Sequence, residues 1–349
     1  MLLFALPAAL LLLTLGSDPD EWPCWRGARG DGLSHGTPWA STGKTLWTAE
    51  IDLGYSAPCV SQGRVVTYGF DATRSVDVLR CLDAETGAER WRDEWPGELR
   101  ANQHEGGTLS TPAVADGRVF AVSSSGLASC FDLADGTRRW QVDLAARHEL
   151  DPGYYGFAGS PVLADGRLLV AVGRALALDP ETGATLWASE PLNALYSTPV
   201  ALEIGGARRL ALFSQDALHL LDSATGAPLA AFPWHESERL VNAATPVVAG
   251  ERLFVSSAYD HGCALVEFGP DGPRALFKNR AMRNKMAGCI LIDGHLFGFD
   301  ESVLKCLDLE GNERWRVRGF GSGALSGGDG KLAVLTSSGE LVIDRKSVG

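Results

Sequence analysis

Basic side chains are in the minority in this sequence, 31 Lys and Arg against 43 Asp and Glu, for a net charge of −12. A nonspecific grip on nucleic acid or on an anionic membrane surface is disfavoured by that balance. Methionine is scarce, three residues beside 41 glycines, and low-complexity blocks are missing. That composition suits many tight turns better than helices, because glycine supplies the positive φ that hairpins demand. The histidines His35, His104, His148, His219, His235, His261 and His295 are scattered, and neither His-x-x-x-His nor Cys-x-x-Cys occurs, so no zinc site is indicated. Gly319-Phe320-Gly321-Ser322-Gly323 lacks the lysine of a phosphate loop and reads as a turn. Arg29-Gly30-Asp31 also reads as a turn.

What is present begins with an uncharged apolar run, Met1 to Leu15, followed by Gly16-Ser17-Asp18. A spanning helix needs about 20 apolar residues, so the run reads as a signal peptide over residues 1–16. The expected location is periplasmic or secreted, with no transmembrane helix after signal removal. Ser17 stands where a lipidated cysteine would be needed for a bacterial lipid anchor. Export makes disulfides available to Cys24, Cys59, Cys81, Cys130, Cys263, Cys289 and Cys306, and the odd number leaves at least one free. Cys81, Cys130 and Cys306 recur at one place in a repeat, as small buried strand residues do.

That repeat is the main signal. Leu82-Asp83 leads through Thr86-Gly87 to Trp91, and the pattern returns from Asp132 to Trp140, from Asp179 to Trp187 and from Asp308 to Trp315. Worn copies run from Asp222 to Ala230 and from Glu267 to Phe277. Asp83 and Asp308 are 225 residues apart over five steps, a mean of 45. Before each unit stands a second marker, Ser56-Ala57-Pro58, Ser110-Thr111-Pro112, Gly159-Ser160-Pro161, Ser197-Thr198-Pro199 or Ala244-Thr245-Pro246, leading into an apolar strand. Gly turns and β-branched runs follow, giving four short strands per unit. A four-stranded sheet of this size buries its faces only against its neighbours, which is the requirement of a β-propeller blade. The repeated Asp and Trp residues are therefore expected to be structural.

The expected fold is all-β, a propeller of four-stranded blades over residues 41–349 after an N-terminal segment at 17–40. Seven blades can be counted, and eight follow if the C-terminus is truncated. Lys44 to Ile51 resembles the last strand of a unit and Ala324 to Ile343 its first three. Pairing the two ends would complete a seventh blade and remove exposed edges.

Leu-Asp-x-x-Thr-Gly-x-x-x-Trp preceded by Ser-x-Pro-x-Val resembles the repeat of the pyrroloquinoline-quinone-like propeller superfamily, over nearly everything after residue 40. Trp22-Pro23-Cys24-Trp25-Arg26-Gly27 with Gly30-Asp31-Gly32-Leu33-Ser34 is similar to the start of a secreted bacterial group within it. The resemblance implies a PQQ-type blade. It also covers quinone- and calcium-dependent alcohol or sugar dehydrogenases and the outer-membrane assembly lipoprotein B, two occupations for one fold. The dehydrogenases hold their quinone beside adjacent cysteines, and no two cysteines are adjacent here. PQQ and calcium are thus not supported by motif, and no catalytic, cofactor or metal residues are assigned.

The segments just before the Ser-x-Pro strands converge on one mouth of the channel. They carry the candidate binding residues His104, Glu105, Tyr155, Asn193, Tyr196, Asn242, Asn284 and Lys285. The reading is an exported binding or scaffolding module for a protein or carbohydrate partner, and not for nucleic acid. Its alternatives are the quinone dehydrogenase and a part in outer-membrane protein assembly.

Overall fold

The computed structural model describes residues 21–39, 44–100, 104–193, 195–234 and 241–345. The expected leader, His235 and residues 346–349 lie outside them. Seven four-stranded sheets make up the chain. Blades 1 to 6 occupy residues 59–96, 113–143, 162–188, 200–233, 247–279 and 290–317, each an antiparallel meander. Blade 7 consists of Ala324–Gly328, Lys331–Leu335 and Leu341–Arg345, with Leu33–Ser34 added in parallel beside Ala324–Gly328. The only helix among the described residues, Leu144–His148, follows blade 2.

Alternation along the strands sends apolar side chains to the two sheet faces. Six hydrophobic clusters result, one at each junction between successive blades. Cys81, Cys130 and Cys306 are fully buried in these junctions, and all seven cysteines are free thiols. Burial pushes the thiols of Cys81 and Cys306 up to about 11 and that of Cys130 up to about 12.

The Asp turns show why the motif recurs. Asp83 Oδ1 accepts from the Glu85 and Thr86 amides at 3.1 and 2.9 Å and from the Thr86 hydroxyl at 2.8 Å, while Gly87 takes φ 72°. Asp179 repeats the arrangement. Asp308 accepts from the Glu310 and Asn312 amides, whereas Asp132 pairs with Arg139 instead. Trp91, Trp140 and Trp187 then dock on the turn of the following blade. Trp91 Nε1 donates to Leu133 O at 2.9 Å and Trp140 Nε1 to Pro180 O at 3.0 Å. A Cβ on Gly136 would stand 2.7 Å from the Trp91 ring, so glycine is needed there for close approach as well as for φ. Trp187 lies on Gly226 in the same manner, and Trp315 packs on Phe297.

Lys44 to Ile51 does not form the expected strand. Trp47 nevertheless takes the docking position on blade 1, with Nε1 donating to Ala84 O at 2.9 Å and its ring over Gly87. Leu53 exchanges hydrogen bonds with Phe70 and Asp52 pairs with Arg80, so this segment covers the free face of blade 1. Among the described residues no hydrophobic cluster joins blade 7 to blade 1. Leu335 and Leu341 of blade 7 are 49% and 62% exposed.

The two ends meet instead through the hub. Trp22 exchanges backbone hydrogen bonds with Val60 of blade 1, and Pro23 O accepts from Val114 N of blade 2. Trp25 Nε1 donates to Thr245 Oγ1 at 2.9 Å at the start of blade 5. Arg26 Nη2 donates to Cys289 O at 2.7 Å before blade 6, and Leu33 pairs with Gly327 of blade 7. Part of the segment 17–40 thus belongs physically to the ring, and it straps blade 1 to blade 7 across the axis.

Candidate functional site

The first strands of neighbouring blades touch around the axis, and a cavity of about 1040 Å³ lies between them and the strap. Its walls include Ser61, Ala115 to Gly117, Leu163 to Asp165 and Val248, near the turns between first and second strands. The strap therefore occupies that end of the channel. Arg26 is 8% exposed there and donates to Gly30 O, Asp31 O and Cys289 O. Burial lowers its pKa against the opposing pull of nearby Asp31.

The opposite mouth is built by the connectors between blades and by the turns between second and third strands. Tyr55 is fixed by a hydrogen bond that its backbone N–H donates to Thr108 O at 2.7 Å, which brings it beside the blade 1 to 2 connector. Its ring stands edge-on to His104, with centroids 5.3 Å apart. His104 stacks on Tyr155 at 5.4 Å, and Tyr155 meets Tyr196 at 5.7 Å and Tyr154 at 4.8 Å. One chain of aromatic rings thus links the connectors of three successive blades. Burial raises the phenol pKa of both Tyr155 and Tyr196, and the Tyr259 phenol adds to the shift at Tyr155. Lys285 Nζ lies 5.9 Å from the Tyr259 ring centroid. These rings present apolar faces with hydroxyl tips, a combination suited to a partly wet interface.

The eight expected mouth residues separate into three groups. His104, Tyr155 and Tyr196 come together in the aromatic chain, with Lys285 at Tyr259. Glu105 and Asn193 are exposed, and Asn193 Nδ2 donates to Asp216 at 2.7 Å. Asn242 and Asn284 are 0% and 2% exposed, and their amides serve the blades. Asn242 Nδ2 donates to Ser214 O at 2.7 Å and Asn284 Nδ2 to Phe299 O at 2.9 Å. Neither side chain is open to solvent at the mouth.

Sequence reasoning passed over Tyr55, although it stands immediately before Ser56-Ala57-Pro58 and obeys the same rule as the others. Tyr259 sits in a turn between strands and carried no such marker. The ionic group beside it was also missed. Arg283 binds Asp300 through Nε at 2.7 Å and reaches Asp260 at 3.3 Å, while Lys305 Nζ lies 2.6 Å from Asp300. Burial alone would raise Asp300, but hydrogen bonds from Arg283 and Lys305 outweigh it and hold the carboxyl below its usual range.

Among the described residues no three His, Cys, Asp or Glu side chains come close enough to hold a metal ion. Calcium wants about six to eight oxygen ligands, and Asp260 and Asp300 are already paired with cations. The paired carboxylates Asp260 and Asp300 do not make a calcium donor set at this mouth. No helix among the described residues is long and apolar enough to cross a membrane.

Comparison with known proteins agrees with this architecture. A family model described as outer membrane protein assembly factor BamB matches residues 39–188 and, overlapping, 74–310. No curated protein matches the chain. Among solved structures, BamB from Moraxella catarrhalis is 20% identical, with 83% of this chain and 86% of that chain covered and a TM-score of 0.59. The computationally designed Ika8 protein is 14% identical, with 83% of each chain covered and a TM-score of 0.60. The quinohemoprotein alcohol dehydrogenase from Comamonas testosteroni is 10% identical, covered over 96% of this chain and 74% of that one, with a TM-score of 0.62. At such identities these likenesses speak for the fold alone. From repeat, blade and family match together, the chain belongs to the PQQ-like propeller family described as outer membrane protein assembly factor BamB.

Proposed function

We propose that the protein is an exported scaffold that presents its connector-side mouth to a protein partner in the cell envelope. The observation that carries this reading is the aromatic chain Tyr55, His104, Tyr155 and Tyr196 on a face that the fold leaves open. Tyrosine and histidine rings there offer large contact area with few rotors to freeze, as interface anchors do. The leader-like run Met1 to Leu15 supports export. A photo-crosslinking residue at position 155 in growing cells should trap one discrete envelope protein, and the same residue at position 86, on the opposite face, should not. Equal or absent crosslinking at the two positions overturns the reading.

The family match favours a second, narrower version, in which the partner belongs to the machinery that assembles outer-membrane proteins. Deleting the gene should then lower the amounts of several outer-membrane β-barrels together, and unchanged amounts would count against this version.

A further inference from the structure

In blades 1 to 6 the third strand lies between two others, whereas Leu341–Arg345, the third strand of the blade 7 meander, is the outer edge of its sheet. Ile343 faces Ala333 in the same register that sets Cys81 against Val66, Cys130 against Phe120 and Cys306 against Phe297. Those three cysteines are 0% exposed, and Ile343 is 36% exposed. Leu335 and Leu341 stand directly opposite each other on the same open face, and alternation puts exposed Arg345 there too. Blade 7 thus shows the seam an uncovered apolar face with a basic end.

The other wall of the seam is the stretch from Lys44 to Ile51. Among the described residues it makes no backbone hydrogen bond, and every residue in it except Trp47 is exposed. Trp47 alone pins it, on the turn of blade 1. Thr45, Trp47, Thr48 and Ile51 favour extended backbone. On an extended chain Leu46, Thr48 and Glu50 share the face opposite Trp47. An open strand edge and an unpaired extended stretch are both templates for pairing with another chain. Within one copy the two do not pair.

We infer that two copies of this chain pair through their seams, each laying its Lys44 to Ile51 stretch along the Leu341–Arg345 edge of the other. Charge selects the second copy and the direction. Run parallel with Leu46 opposite Leu341, the stretch sets Glu50 opposite Arg345 and Lys44 beside Glu340. Run antiparallel with Trp47 opposite Ile343, as the fourth strands of other blades run, it sets Glu50 opposite Glu340. Opposite charges across strands stabilise a pair and like charges directly opposed destabilise it. In the parallel register Leu46 and Thr48 cover Leu341 and Ile343, while Trp47 keeps to its own blade 1. Main-chain hydrogen bonds along the added strand supply the affinity. The operation is a two-fold, so both seams close at once and no edge is left to propagate. The inference does not rest on the mouth as a partner site, because the seam is a different surface.

Sedimentation velocity of the purified chain should show a dimer in the micromolar range. Leu341→Asp with Ile343→Asp should give a monomer with an unchanged circular dichroism spectrum. Arg345→Glu should weaken the dimer about tenfold or more, since the pair recurs by symmetry, and adding Glu50→Arg should restore it. These two exposed charges decide the matter even if the apolar variant fails to fold. Oxidising a mixture of Leu46→Cys and Leu341→Cys chains should give a covalent dimer with one chain of each kind. The inference is overturned if the wild-type chain is monomeric throughout that range or if Arg345→Glu leaves the dimer unchanged. A chain carrying both cysteines that bridges only within itself would return the stretch to its own blade 7 and overturn it as well. So would a photo-crosslinking residue at position 341 that traps a different envelope protein in growing cells and never a second copy.

Discussion

The junction between blades 1 and 2 and the seam between blades 7 and 1 are built from the same repeat but close by different means. At the junction, Trp91, Trp95, Tyr68 and Phe131 fill a continuous apolar layer, and Trp91 is 8% exposed. At the seam, Trp47 makes the equivalent hydrogen bond, yet Leu46 beside it is 75% exposed and among the described residues no cluster lies behind it. The turn that receives the indole is thus independent of the core that usually accompanies it. Docking gives register between blades, burial gives most of the stability, and the hub strap substitutes where burial is missing.

The sharpest way to break this comparison is a pair of truncations. Trp91→Ala should cost about 3–5 kcal/mol, the range for a large core aromatic, whereas Trp47→Ala should cost about 1 kcal/mol, close to the value of one hydrogen bond. Urea unfolding of the two variants measures the difference, and equal losses would mean that the seam is packed after all. Next in size is the strap. Arg26→Ala removes three donors to carbonyls at the hub and should cost about 3 kcal/mol, with amide exchange in Lys331–Leu335 rising more than in Arg118–Val122. Uniform exchange changes would show that the strap does not serve the seam in particular.

The smallest effect concerns a polar group inside the well-packed junction. Asp77 is 3% exposed, and burial pushes its carboxyl up to about 6 although the Tyr68 hydroxyl donates to it at 2.8 Å. An unfolded aspartate titrates near 4, so the folded chain holds a proton that the unfolded chain has lost. Stability from this group is complete below about pH 4 and disappears as the pH rises through about 6. Asp77→Asn should remove that slope and leave the variant about 2 kcal/mol more stable at pH 7, read from unfolding at pH 4, 5, 6 and 7. A wild-type slope retained in the variant would place the titration elsewhere.

The blades themselves were legible because each is written in a local code, Asp to turn to aromatic, repeated with little change. Six sheets follow from counting that code, and a seventh was expected where the two ends of the chain come together. The strap was not legible, because residues 21–34 have no periodicity and find their partners at blades 1, 2, 5, 6 and 7 only after the ring exists. Lys44 to Ile51 shows the boundary between the two cases. Its tryptophan obeyed the docking rule, while strand formation required a neighbouring edge that the geometry does not bring alongside. At the mouth, the rule of position found His104, Tyr155 and Tyr196 but also Asn242 and Asn284. Place along a connector says which face a residue belongs to. It does not say whether a side chain turns outward or is taken up by backbone groups that need a partner.

The strap also has a kinetic consequence. Each cored junction joins units about one repeat apart in the chain, so those contacts can form as soon as the next unit has been made. Trp25 with Thr245 and Arg26 with Cys289 are 220 and 263 positions apart. Contacts of such separation are slow, because a long loop must be ordered before they reward it. The early residues therefore wait, and the circle becomes one body only after nearly the whole polypeptide has been delivered.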